Sequence, residues 1–160
     1  MKPNRSVRYT ALIAGLLASA AALPTRQASA AGQWGEVHFP VSCQASVQQP
    51  FDDAVAMLHS FSFGDAAKTF AAVAHDDPNC AMAYWGLATT AMGSLFAGRT
   101  GPAALGKGWD FVQQAKTLGA KTPREQDYIA AAEAFYRDAD RRSHDERMHA
   151  YAEALEAHRL

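Results

Sequence analysis

From about residue 46 onward, apolar side chains recur every three to four positions, and the positions between them are polar or small. That period belongs to amphipathic helices, because residues i, i+3, i+4 and i+7 share one helical face. Six helices are predicted. The first covers about 47–60, where Phe51, Ala54, Val55, Leu58 and Phe61 keep the spacing. Pro50 has to fall in its first turn, where a missing N–H costs nothing. The second starts after Gly64 or Asp65 and carries Ala66, Ala67, Phe70, Val73 and Ala74 on one face. It stops before Asp77-Pro78, since the residue before a proline is steered out of the α region. The third spans about 79–95. The fourth spans about 102–118 and stops at Gly119; Gly106 and Gly108 weaken its start. The fifth opens on Thr122, with Pro123 as its first residue and Glu125 closing a capping box. The sixth opens on a second box, Ser143 to Glu146, and stays in helical register to Leu160. The chain is therefore expected to be the N-terminal part of a longer array. The only β-like run, Val37 to Val41, is short and holds Pro40, so residues 31–45 read as an extended arm.

The helices come in short-loop pairs, and the pairs repeat. Ala66-x₃-Phe70 followed by Pro78 fits the tetratricopeptide pattern A-x₃-F…P. The small position of the first helix, Ala54, recurs 34 residues later at Ala88 (88 − 54), within Tyr84-x₂-Leu87-Ala88. It recurs again after 44 residues (132 − 88), within Tyr128-x₂-Ala131-Ala132, which places about ten extra residues in "LFAGRTGPAA". Small residues at these positions let paired helices approach, while Phe70, Tyr84 and Phe135 fill gaps toward the next pair. The expected fold is all-α: a signal peptide (1–30), the arm (31–45), then an α-solenoid of three hairpins over about 46–78, 79–120 and 121–160. A generic alanine-rich bundle is the alternative.

The first thirty residues have the three parts of a secretory signal. Lys2, Arg5 and Arg8 precede an apolar core from Ala11 to Leu23, and Ala28-Ser29-Ala30 offers a small-x-small cleavage site after Ala30. An uncleaved anchor is the alternative, but the apolar core falls short of the roughly 20 residues a bilayer needs. A periplasmic or secreted location follows, with no membrane partner once the signal is cleaved. Charge then changes sign of emphasis. Four of 15 basic residues and none of 16 acidic ones lie in the signal, leaving 11 against 16, or −5. Such a chain lacks the basic surface that nucleic-acid binding requires.

Three stretches, "GEVHFPVSC", "AVAMLHSFSFGDAAKTFAAVAHDDPNCAMAYWGLA" and "LGAKTPREQDYIAAAEAFYRDAD", together resemble a family of secreted bacterial tetratricopeptide-repeat (TPR) proteins. The resemblance covers nearly all of the chain after the signal. It implies a scaffold, supplies no enzymatic activity, and implies continuation into further repeats. It also implies a concave groove built from the first helix of each hairpin. In this register Phe51, Val55, Leu58 and His59 face the groove in the first repeat, and Trp85, Thr89 and Met92 in the second. The partner is then a protein or peptide of unknown identity. The alternative is that these side chains meet the arm or a later repeat.

Cys43 and Cys80 flank the first hairpin. In an oxidising compartment a disulfide is the default, worth roughly 3–4 kcal/mol for a loop of this length; two separate buried thiols are the alternative. His38, Cys43, His59 and Cys80 are chemically able to hold zinc or copper(I), although their spacing matches no tight signature. That set defines a second reading, a metal- or redox-responsive module; a purely structural N-terminal part is a third. His144, His149 and His158 are expected to be solvated on a charged helix. Asp76-Asp77 reads as a helix-end turn, and Asp138, Asp140, Asp145, Arg141 and Arg142 as a solvated charged turn. No G-x-S-x-G, glycine-rich phosphate loop or H-E-x-x-H is present, so no enzyme activity and no cofactor are expected.

Overall fold

A computed structural model describes residues 34–93 and 100–158. The predicted signal peptide, and residues 95–99 of the predicted insertion, lie outside the described residues. Among those described there are six α-helices and no strand: α1 Gln48–His59, α2 Phe63–Asp76, α3 Ala81–Met92, α4 Pro102–Leu118, α5 Pro123–Tyr136 and α6 His144–His158. A 3₁₀ turn at Ala45–Val47 precedes α1. Residues 35–44 have no regular element.

The helix ends follow local chemistry. Thr122 Oγ1 accepts from Glu125 N while the Glu125 carboxylate accepts from Thr122 N, closing the predicted box. Ser143 and Glu146 close the second in the same way, with Glu146 Oε2 2.6 Å from Ser143 N. Two boundaries differ from expectation. α2 begins at Phe63, ahead of Gly64, and Ser62 Oγ donates to Asp65 in its first turn. α3 is shorter than 79–95: Cys80 is extended (φ −76°, ψ 92°), and the chain leaves the helix at Gly93, whose φ of 77° suits glycine.

Each helix packs on the next, and α3 also touches α1 and α5, so α1, α3 and α5 lie side by side. Small residues set how closely they approach. Ala54, Ala66, Ala88 and Ala132 are all at 0 % exposure. A Cβ on Gly86 in α3 would lie 2.4 Å from the Phe70 ring of α2. In α4, a Cβ on Gly108 would lie 2.1 Å from Tyr136. The Tyr136 hydroxyl donates to Ala88 O at 2.6 Å, and burial pushes that phenol well above its ordinary pKa. Gly108 thus opens the slot through which Tyr136 of α5 reaches the backbone of α3.

Candidate functional site

The arm crosses the surface shared by α1, α3 and α5, and Phe39 is its centre. The Phe39 ring stands 5.8 Å from Phe51 of α1, 5.5 Å from Trp85 of α3 and 5.1 Å from Tyr128 of α5, centroid to centroid. Trp85 and Tyr128 meet edge-to-face at 5.4 Å. The Arg124 guanidinium caps the cluster, 4.3 Å from the Phe39 centroid. Each aromatic pair adds about 0.5–1.5 kcal/mol beyond area burial, so one arm side chain couples three helices.

A backbone segment outside helix and sheet needs other partners for its N–H and C=O groups. Side chains of the body supply them. Asp52 Oδ1 accepts from Phe39 N at 2.9 Å. Gln48 accepts from Val41 N and donates to Phe39 O. Glu125 accepts from both Ser42 N and Ser42 Oγ, each at 2.6 Å. Asp77 accepts from Gln44 N at 2.8 Å. Lys121 and Arg124 donate to Ser42 O and Pro40 O. The three carboxylates are buried, Glu125 to 1 % exposure. Burial pushes the Glu125 carboxyl up, but the hydrogen bonds from Ser42 and Thr122 outweigh it and the pKa falls. For Asp77 the Gln44 N–H is the leading cause of a lowered pKa, with burial opposing it.

The arm is also tied covalently: Cys43 Sγ and Cys80 Sγ are bonded, with Cα atoms 4.9 Å apart. The four-residue metal set is not brought together. Among the described residues the polar group clustered with the two sulfurs is the Asp77 carboxylate. His38 lies on the arm with its Nδ1 3.7 Å from Asp52, and His59 is at the far end of α1.

The seven expected groove residues therefore divide. Phe51, Val55 and Trp85 are buried; Phe51 and Trp85 meet Phe39, so they do not face an open groove. The Trp85 indole N–H is buried without an acceptor among the described residues. Leu58, His59, Thr89 and Met92 instead line an apolar cleft of about 240 Å³. Phe61 and Phe63 form its wall at the α1–α2 turn, and His144, Met148 and Tyr151 of α6 close the other side. His144 is a correction to the expectation of a solvated histidine: it is half-buried, its ring edge-to-face with Phe135 at 6.1 Å. His149 is exposed. Asp77 is likewise more than a helix-end turn, since it anchors the arm. Among the described residues no helix is long and apolar enough to cross a membrane.

Comparison with protein-family models, with curated proteins and with solved structures finds no match. The functional reading therefore rests on the geometry of the arm and the cleft.

Proposed function

We propose that the chain is an exported binding scaffold built from three tetratricopeptide-like hairpins, α1–α2, α3–α4 and α5–α6, which takes up protein segments on the face made by α1, α3 and α5. The observation that carries this reading is the seating of the arm. An irregular segment lies across three parallel-role helices, its backbone held by Asp52, Gln48, Glu125 and Asp77 and its aromatic side chain inserted among Phe51, Trp85 and Tyr128. That is how a scaffold recognises a peptide: main-chain groups met by polar side chains, with one anchor in an aromatic pocket. The arm fills one part of the face, so a partner engages the open part at Leu58, His59, Thr89 and Met92. Repeat spacing, the fully buried Ala54, Ala88 and Ala132, the bonded cysteines and the signal-like first thirty residues support the fold type and the export.

The test is site-specific photo-crosslinking in the full chain, in its native host. A photoreactive residue at His59 is expected to trap a discrete protein partner, whereas one at exposed Gln114 on α4 traps none. No adduct at His59, or the same adduct from both positions, refutes the reading. A redox-responsive module is the second reading, favoured by one observation: the Cys43–Cys80 bond ties the arm to the start of α3.

A further inference from the structure

The covalent tie of the arm stands beside a carboxylate that a disulfide does not need. Cys43 Sγ, Cys80 Sγ and a carboxylate oxygen of Asp77 all lie within 4.8 Å of one another. Asp77 and Cys80 are buried, while Cys43 is half-buried. Asp77 accepts from Gln44 N, Gln44 Nε2 and Asn79 N. A carboxylate offers about four lone-pair sites, so these three bonds leave one for a further partner.

Asp77 and Cys80 also have the spacing of a chelating turn. Two ligands separated by two residues, as in C-x₂-C, reach one ion from a single loop. In Asp77-Pro78-Asn79-Cys80 that loop is already closed: Cys80 N donates to Asp77 O at 3.0 Å, and Asn79 N to Asp77 Oδ1 at 3.2 Å. Hydrogen bonds of this kind fix the direction of a ligating carboxylate. Cys43 reaches the same point from the arm, its Cα 4.9 Å from that of Cys80. An ion with sulfur at about 2.3 Å and oxygen at about 2.0–2.2 Å sets tetrahedral ligand atoms roughly 3.5–4 Å apart, which rotation of the two cysteine side chains supplies once the bond is open. A cavity of about 10 Å³ lies against Cys43, lined also by Ser42, Asn79 and Lys121, and is about the size of one water. Two thiolates and a carboxylate with a divalent ion sum to −1 (−3 + 2). Lys121, whose Nζ is 2.9 Å from Ser42 O, brings a positive charge to the same edge.

We propose that Cys43, Cys80 and Asp77 form a metal site that replaces the disulfide when it is reduced, taking a divalent ion of the zinc class with water as the fourth ligand. The site rests on the redox-responsive reading. A dithiol reductant gives two electrons and two protons to the S–S bond and itself becomes a disulfide, leaving two protein thiols. The ion displaces both thiol protons to solvent and is bound by the two sulfurs and the Asp77 carboxylate. A mixed sulfur and oxygen set favours zinc over copper(I), which selects sulfur. In either state the arm is pinned to the start of α3.

The test uses the full chain reduced with a phosphine, which takes oxygen from water to become the phosphine oxide and adds no competing thiol. Cobalt(II) is the spectroscopic probe and zinc its competitor. The reduced chain is expected to develop a thiolate-to-cobalt charge-transfer band that saturates at one ion per chain and is lost on adding zinc; the oxidised chain develops none. X-ray absorption of the zinc-loaded chain should show two sulfur and two oxygen neighbours. Asp77→Asn keeps an acceptor for Gln44 N and should weaken cobalt binding at least tenfold, whereas Asp76→Asn, exposed and one residue away, leaves it unchanged. No band in the reduced chain, one ion per two chains, four sulfur neighbours, or an Asp77→Asn chain that binds cobalt as tightly as the parent overturns the proposal. The X-ray absorption result decides where Asp77→Asn loses helical circular dichroism. A bond that the phosphine does not open in the folded chain removes the redox reading and this site together; a bond that opens without cobalt binding removes the site alone.

Discussion

Replacing Gly106 and Gly108 singly by alanine is expected to move stability in opposite directions, although both sit inside α4 two residues apart. Helix propensity acts equally on both and favours alanine by about 0.8–1.0 kcal/mol. Around Gly106 a new Cβ meets nothing within 4 Å, so Gly106→Ala stabilises by up to about 1 kcal/mol. At Gly108 the Cβ would sit 2.1 Å from Tyr136 Cζ and 2.3 Å from its hydroxyl oxygen. Forcing that ring aside costs about 1–3 kcal/mol as overpacking. Pulling the hydroxyl off Ala88 O leaves a buried group unsatisfied, a further cost of about 1–3 kcal/mol. Less the propensity gain, Gly108→Ala destabilises by about 1–5 kcal/mol. Urea unfolding followed by circular dichroism reads both midpoints. A Gly108→Ala variant as stable as Gly106→Ala would refute the close approach of α4 and α5 and the role given to Tyr136.

Phe39→Ala removes three ring contacts and the Arg124 cap; it should cost about 2–4 kcal/mol and red-shift tryptophan emission as Trp85 meets water. Reduction of Cys43–Cys80, 37 residues apart in sequence, should cost about 3–4 kcal/mol by the loop-entropy model, measured as the difference in urea stability with and without a dithiol. Glu125 and Asp77 have carboxyl pKa values lowered in the folded state. Their contribution is therefore complete above their ordinary values of 4.5 and 3.8 and is lost as pH falls through the lower folded values. Unfolding midpoints should decline below about pH 4.5, and Glu125→Gln should flatten that decline while costing about 1–3 kcal/mol at neutral pH.

The helices were legible because their determinants are local. Thr122, Pro123 and Glu125 sit within four residues, and the apolar spacing of Phe51, Ala54, Val55 and Leu58 spans two turns. The arm's seating was not legible, because its partners are distant in sequence. Ser42 meets Glu125 across 83 positions, and no local pattern marks Glu125 as anything beyond a capping residue. The same applies to Asp77, which looks like a helix-end acid until Gln44 is placed beside it. The helical register of Trp85 leaves two surroundings open, a groove or the arm, and local spacing cannot choose between them; the Phe39 ring of the arm stands 5.5 Å from it. His144 looked solvated because its sequence neighbours are charged, whereas Phe135 from α5 gives it an apolar bed. Gly108 looked like a weakness of α4, and only the Tyr136 ring explains it.

The account depends most on the arm being held against α1, α3 and α5, which leaves the Leu58–Met92 cleft as the open binding surface. Amide hydrogen exchange of the intact, oxidised chain tests this directly. The account predicts that Phe39, Val41, Ser42 and Gln44 exchange slowly, at rates comparable with interior helical amides, because Asp52, Gln48, Glu125 and Asp77 accept from them. Exchange of these four amides at the rate of an unstructured peptide would contradict it.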